Sequence, residues 1–97
     1  MTVMNLSEIE IAKSDSRGVM YHCGGFEYIK RVNGSVSGDH AHPDSEEIYL
    51  LSGEIEMTVG DEVRIINAPI KISIPANVPH KVTAQTDIVL LVNRKNI

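Results

Sequence analysis

Apolar and polar residues alternate in short stretches along this chain, and each stretch stops at turn-forming residues. Residues 19–23 form one such segment, stopped by Gly24-Gly25, and residues 26–32 form another, stopped by Asn33-Gly34. Residues 46–51 end at Ser52-Gly53. Ile55, Met57 and Val59 alternate with polar partners up to Gly60-Asp61, after which Val63 and Ile65 resume the alternation. Ile70, Ile72 and Ile74 give the cleanest run of period two before Pro75, and Val82 and residues 88–92 close the chain. Side chains two apart on a strand share a face, so this period marks strands with one buried side. Gly60-Asp61 suits a two-residue hairpin loop, because glycine at its first position supplies the positive φ of a type II′ turn. A helix is possible only over residues 6–12, and even there Ile9 and Ile11 alternate with Glu8 and Glu10, which favours a strand. The unbroken apolar run 88–92 reads as a strand buried on both faces, its outer side covered by a second sheet or a second subunit. Many short strands separated by turns predict an all-β barrel or sandwich.

Composition narrows the function classes. The 97 residues suit one domain spanning 1–97. A domain of this size is thinly stabilised alone, so support is expected from a bound metal or a partner subunit. The net charge is -4, with acidic and basic residues interspersed. Without a basic run to track phosphates, nucleic acid is not an expected partner. The longest apolar run, 88–92, is far too short to span a bilayer. Residues 1–8 show no basic start followed by an apolar stretch, so no secretory signal is expected. Cys23 is the single cysteine, which rules out an internal disulfide and makes a cytoplasmic location the default.

The chemistry-bearing stretch runs from Gly34 to Gly53. His40 and His42, two apart, project from one strand face with backbones roughly 6–7 Å apart. Pro43, Asp44 and Ser45 are turn formers that can return the carboxylate of Glu46 to the same point. A His-x-His pair with a nearby acid suits Fe, Mn, Ni, Zn or Cu. A solvated histidine pair and an unrelated surface carboxylate account for those features equally well. Glu46, however, leads into Ile48 and Leu50 on its own strand face, where a charge is costly unless paired or metal-bound. Glu47 and Tyr49 have the opposite parity and are expected outside. Lys71 and Lys81 flank inward positions and should also point out. His22 reads as a surface histidine, and Cys23 as a small core residue rather than a nucleophile. Tyr28 could line the pocket or pack outside it. The parity of Lys30 and Arg31 leaves open which of them reaches the interior.

Gly34, five residues, His40-x-His42, three residues, Glu46, six residues and Gly53 reproduce without a gap the first motif of the cupin family, which this chain resembles. Pro75-Ala76-Asn77-Val78-Pro79-His80 is similar to the centre of the second cupin motif. Three positions depart from it: Pro69 and Asn77 stand where the motif has glycine, and Ala84 where it has asparagine. Asparagine tolerates the left-handed conformation better than most residues, so Asn77 is a mild change. Pro69 implies a differently built loop before its strand. Ala84 leaves the ligand set intact and bears on strand pairing nearby. The resemblance covers roughly residues 26–93. It implies a cupin jelly-roll β-barrel in which His40, His42, Glu46 and His80 ligate one divalent transition metal. Pairing of cupins through their sheets implies a homodimer.

One carboxylate and three neutral imidazoles would leave a divalent ion with a single net positive charge and, if six-coordinate, two open positions. Such a site suits an oxygen-donor anion, a bidentate substrate or dioxygen. The first reading is a metal-dependent enzyme, a dioxygenase, isomerase or related activity on a small oxygenated acid or sugar-like molecule. The second is a non-catalytic module that binds a metal and a small ligand; the short chain leaves little for a lid. A third is a structural metal, but structural sites are normally closed by their ligands.

Overall fold

The period-two alternation does become strands. The computed structural model describes residues 1–41 and 43–95, and among these ten strands form. They are β1 (Ile11–Asp15), β2 (Gly18–His22), β3 (Glu27–Arg31), β4 (Val36–His40) and β5 (Ser45–Ser52). The second half contributes β6 (Glu54–Val59), β7 (Glu62–Asn67), β8 (Ile70–Ile74), β9 (His80–Ala84) and β10 (Ile88–Lys95). Every pairing is antiparallel. One sheet has the order β1-β2-β3-β10-β5-β8 and the other β4-β9-β6-β7. The fold is the all-β cupin jelly roll that the motifs imply. No helix among the described residues is long and apolar enough to cross a membrane.

The two sheets bury their facing sides against each other. Leu50, Ile55, Ile74 and Ile88 are the largest fully buried side chains, drawn from both sheets. On β5 the inward set is Glu46, Ile48 and Leu50, at 4%, 3% and 0% exposure, as their shared parity requires. Tyr49 faces out, with the Lys71 ammonium 5.7 Å from its ring centroid, and Glu47 pairs with Lys71 at 3.5 Å. The β6–β7 hairpin turns through Gly60 (φ 57) and Asp61, with Val59 opposite Glu62. Gly53, between β5 and β6, has φ 94, and a Cβ there would lie 2.5 Å from the Asp87 carbonyl oxygen. Only glycine lets the two strands pass so close to the β9–β10 turn.

Three expectations are corrected, and a fourth is narrowed to its second-subunit alternative. Residues 6–12 do not form one strand: Leu6–Glu8 is a 3₁₀ turn and β1 begins at Ile11. The Asn5 N–H donates to the Glu8 carboxylate at 2.8 Å and the Glu8 N–H to the Asn5 carbonyl at 2.9 Å, which closes the turn locally. On β7, Val63 and Ile65 face solvent and Ile66 faces the core, opposite Ile55. The hairpin register decides that face, and the hydrophobicity of two residues does not override it. On β10, Ile88, Leu90 and Val92 are buried while Val89 and Leu91 are half-buried. Within the chain β10 lies centrally between β3 and β5, and no second sheet covers the side bearing Val89 and Leu91 among the described residues. Cys23 is half-buried after the end of β2, near the Tyr21 carbonyl oxygen, and outside the core.

Candidate metal and ligand site

His80 opens β9, directly after the Pro75–Pro79 turn. Asn77 takes φ 62 there, the left-handed conformation its side chain tolerates. The Gly60 N–H donates to the Pro79 carbonyl at 2.8 Å and ties this turn to the β6–β7 hairpin. His80 is consequently buried, at 5% exposure, and its Nδ1 lies 3.2 Å from the Val78 carbonyl oxygen. A carbonyl only accepts, so Nδ1 carries the proton and donates. Nε2 then faces the buried Glu46 carboxylate, with Oε2 at 3.3 Å. His40 ends β4, exposed at the mouth, its ring edge-on to His80 with centroids 5.2 Å apart. A bulge opposite His80 shifts the β4 register between Asp39 and His40, and Gly38 takes φ 77 just before it. Bulges of this kind re-aim the following side chain.

Thus Glu46 and His80 meet in the interior and His40 stands beside them, while His42 lies outside the described residues. Among the described residues, no group of three histidine, cysteine or acidic side chains is gathered as a metal site. The donor chemistry of the pair nonetheless fits a metal. With Nδ1 fixed as donor, Nε2 is the ring nitrogen left to face a carboxylate oxygen. Two acceptors at that distance repel unless a proton or a cation joins them. An imidazole whose other nitrogen donates to a backbone carbonyl is the usual state of a metal-bound histidine.

These residues open onto a cavity of about 390 Å³ between the sheets. Ile48, Leu90 and Val92 give it apolar walls, and Arg31 from β3 and Arg17 from the β1–β2 turn also line it. No motif or alternation in the sequence singles out Arg17. For Arg31 the pattern leaves parity open, because aromatic, apolar and charged residues mix across residues 26–32. Burial of Ile29 settles it: Arg31, two residues on, is inside at 5% exposure, and Lys30 is exposed. Tyr28 packs on Tyr21 at 6.2 Å between ring centroids and does not line this cavity. His22 is exposed and lies 3.3 Å from a Glu27 carboxylate oxygen.

Arg17 grips Asp15, its Nη2 donating to Oδ2 at 2.7 Å and its backbone N–H to Oδ1 at 2.9 Å. The side-chain bond, then the backbone bond, hold the Asp15 carboxyl at about 2, below its ordinary 3.8. The carboxyl's depressed folded value means its stabilisation is complete above 3.8 and is lost as pH falls through about 2. An NMR titration of the Asp15 carboxyl carbon is therefore expected to have its midpoint near 2, moving toward 3.8 in R17A. An unchanged midpoint in the variant would show that Arg17 is not the cause.

Residues 27–92 match the family model described as a cupin domain. This chain belongs to the cupin family. Among solved structures, this cupin is similar to an RmlC-like cupin from Shewanella frigidimarina, with a TM-score of 0.81 and 20% identity over 94% of this chain and 86% of that one. It is also similar to a structure from Thermotoga maritima described as a predicted oxalate decarboxylase, with a TM-score of 0.79 and 21% identity over 99% and 100% of the two chains. KdgF from Halomonas sp. superposes at a TM-score of 0.77, with 14% identity over 100% and 96%. No curated protein matches this cupin. At these identities the structural likeness speaks for the fold alone.

Proposed function

We propose that this cupin is a single domain, 1–97, holding one divalent transition metal (iron, manganese, nickel, zinc or copper) on His40, His42, Glu46 and His80. In this reading it is a metal-dependent enzyme acting on a small oxygenated acid or sugar-like molecule, working in the cytoplasm as a homodimer. The observation that carries the metal half is the buried approach of His80 Nε2 to Glu46 Oε2, with Nδ1 already committed to the Val78 carbonyl. A bound divalent ion would supply Lewis-acid or redox chemistry to a ligand oxygen. The chain's own part is to orient and to exclude water. Val78 fixes the tautomer and tilt of the His80 ring. Ile48, Leu90 and Val92 exclude water from the cavity wall, which strengthens electrostatic interactions inside. The similarity to a structure described as a predicted oxalate decarboxylase is in keeping with a small-acid substrate.

A non-catalytic binding module is the second reading. It is favoured by the cavity lining, in which the described residues include no carboxylate or imidazole outside the proposed ligand set. The other titratable side chains lining it are Lys13, Arg17 and Arg31, so a separate proton donor would have to be an ammonium or a guanidinium.

Elemental analysis of the purified protein tests the first half. About one equivalent of a first-row metal per chain is expected, lost in H42A. No metal even after reconstitution would sink the metal reading. Incubating the reconstituted protein with small hydroxy and keto acids, followed by NMR, separates the two readings: substrate loss supports the enzyme, and binding without loss supports the module.

A further inference from the structure

Arg31 is a buried cation with no ion-pair partner among the described residues; the Asp15 carboxylate acts on it only at longer range. It projects inward from β3, two residues after Ile29, and lies opposite Gly18 on β2 and Ile88 on β10, neither of which brings a charge. It is 5% exposed, yet its one side-chain hydrogen bond among the described residues is from Nη1 to the carbonyl of its own neighbour Lys30, at 3.3 Å. Among the described residues no carboxylate pairs with it, since Asp15 is taken by Arg17. Burial is the main influence lowering the Arg31 pKa from its ordinary value, the Arg17 charge adds to it, and the Asp15 charge offsets only part. Taking an arginine out of water is expensive unless an anion and further hydrogen bonds compensate. The guanidinium has five donors in a planar fork that matches a carboxylate edge, and most of them are unused here. The cavity it lines also holds His80 and Glu46. Its volume of about 390 Å³ falls at the small end for ligand sites.

We propose that Arg31 is the specificity-determining residue of this cavity, binding the carboxylate of a small acid whose second oxygen donor is turned toward His80 and Glu46. The second half of this inference rests on the metal reading above, whereas the first half does not. The ligand class that satisfies both ends is a 2-hydroxy acid, a 2-keto acid or a short dicarboxylate. One carboxylate engages the fork and an adjacent oxygen is left for the other end. A neutral sugar would leave the buried cation uncompensated.

The test is calorimetric titration of oxalate and lactate, with oxamide and lactamide as neutral counterparts, into metal-reconstituted wild type, R31M and R31K, metal content being counted in each. Oxalate should bind the wild type and bind R31M at least about tenfold more weakly, the scale of a charge-assisted hydrogen bond. R31K should recover part of the loss, the amides should not compete, and metal content should be unchanged. Equal affinity in R31M, amide binding as tight as oxalate, preference for inorganic phosphate, or no oxalate binding by the wild type would each overturn the inference. Without ligand, R31M should melt no lower than wild type, because an uncompensated buried cation has been removed. A much lower melting point that R31K restores without restoring oxalate binding would make Arg31 structural and overturn the proposal. If no metal is retained, the metal reading fails, and the same titration of the metal-free protein decides the Arg31 inference separately. Arg31-dependent oxalate binding there supports it, and absence of binding overturns it.

Discussion

Alanine in place of His80 is expected to weaken divalent-metal affinity by at least about 100-fold, the upper end of what a lost outer-shell partner alone costs. His80 would be a direct ligand, so the loss should be no smaller. Its ring is buried, is fixed through Nδ1 by the Val78 carbonyl, and presents Nε2 to the Glu46 carboxylate. Removing it leaves Glu46 buried without its imidazole neighbour, and no water-filled space can replace a nitrogen held at a set angle. K81A is the matched control, since the next residue on β9 has the opposite parity. Competition against a chromogenic chelator at fixed pH measures both. A His80 variant that holds metal as tightly as wild type would remove this residue from the site. Comparable losses in both variants would instead point to general unfolding of β9.

Leu50 to alanine should cost about 2–5 kcal/mol of stability, the range for emptying a packed core position. Leu50 is wholly buried, opposite Leu90 on β10 and Ile70 on β8. Small domains have only about 5–15 kcal/mol in total, so the loss is a large fraction. L51A, at a position 44% exposed on the other face of β5, should stay within about 0.5 kcal/mol. Urea unfolding reads this as a midpoint lowered by about 1 M or more in L50A with an unchanged slope. Equal effects in the two variants would mean that the faces of β5 are wrongly assigned. The same strand holds Glu46 four residues earlier, so loosened packing at Leu50 is also expected to blur the position of that carboxylate.

These two residues show what could be read before the fold was seen. Parity on β5 follows from local chain geometry: successive side chains alternate faces, so Glu46 goes in with Leu50 while Glu47 and Tyr49 go out. The backbone freedom of glycine and asparagine likewise gives the β6–β7 hairpin at Gly60-Asp61 and the left-handed turn at Asn77. The two motifs, with their fixed spacings, name the family and nominate the four candidate ligands. Parity fails where a stretch is evenly mixed or where register is imposed from outside. β7 is such a case, its exposed face set by pairing with β6 rather than by Val63 and Ile65. The N-terminal turn is another, because a local bond between Asn5 and Glu8 competes with an extended backbone.

Alternation, turns and the spacing within each cupin motif are legible along the chain, because each depends on residues close together in it, and the two motifs imply the jelly roll by resemblance. That Glu46 and His80, thirty-odd positions apart, meet beside His40 in one cavity is a property of the folded chain. Register and sheet packing likewise pair Arg17 with Asp15 and bury Arg31 beside the same space with no ion-pair partner among the described residues. Those facts depend on which strands lie face to face and in what register, and that is fixed by how the two sheets close over a shared core.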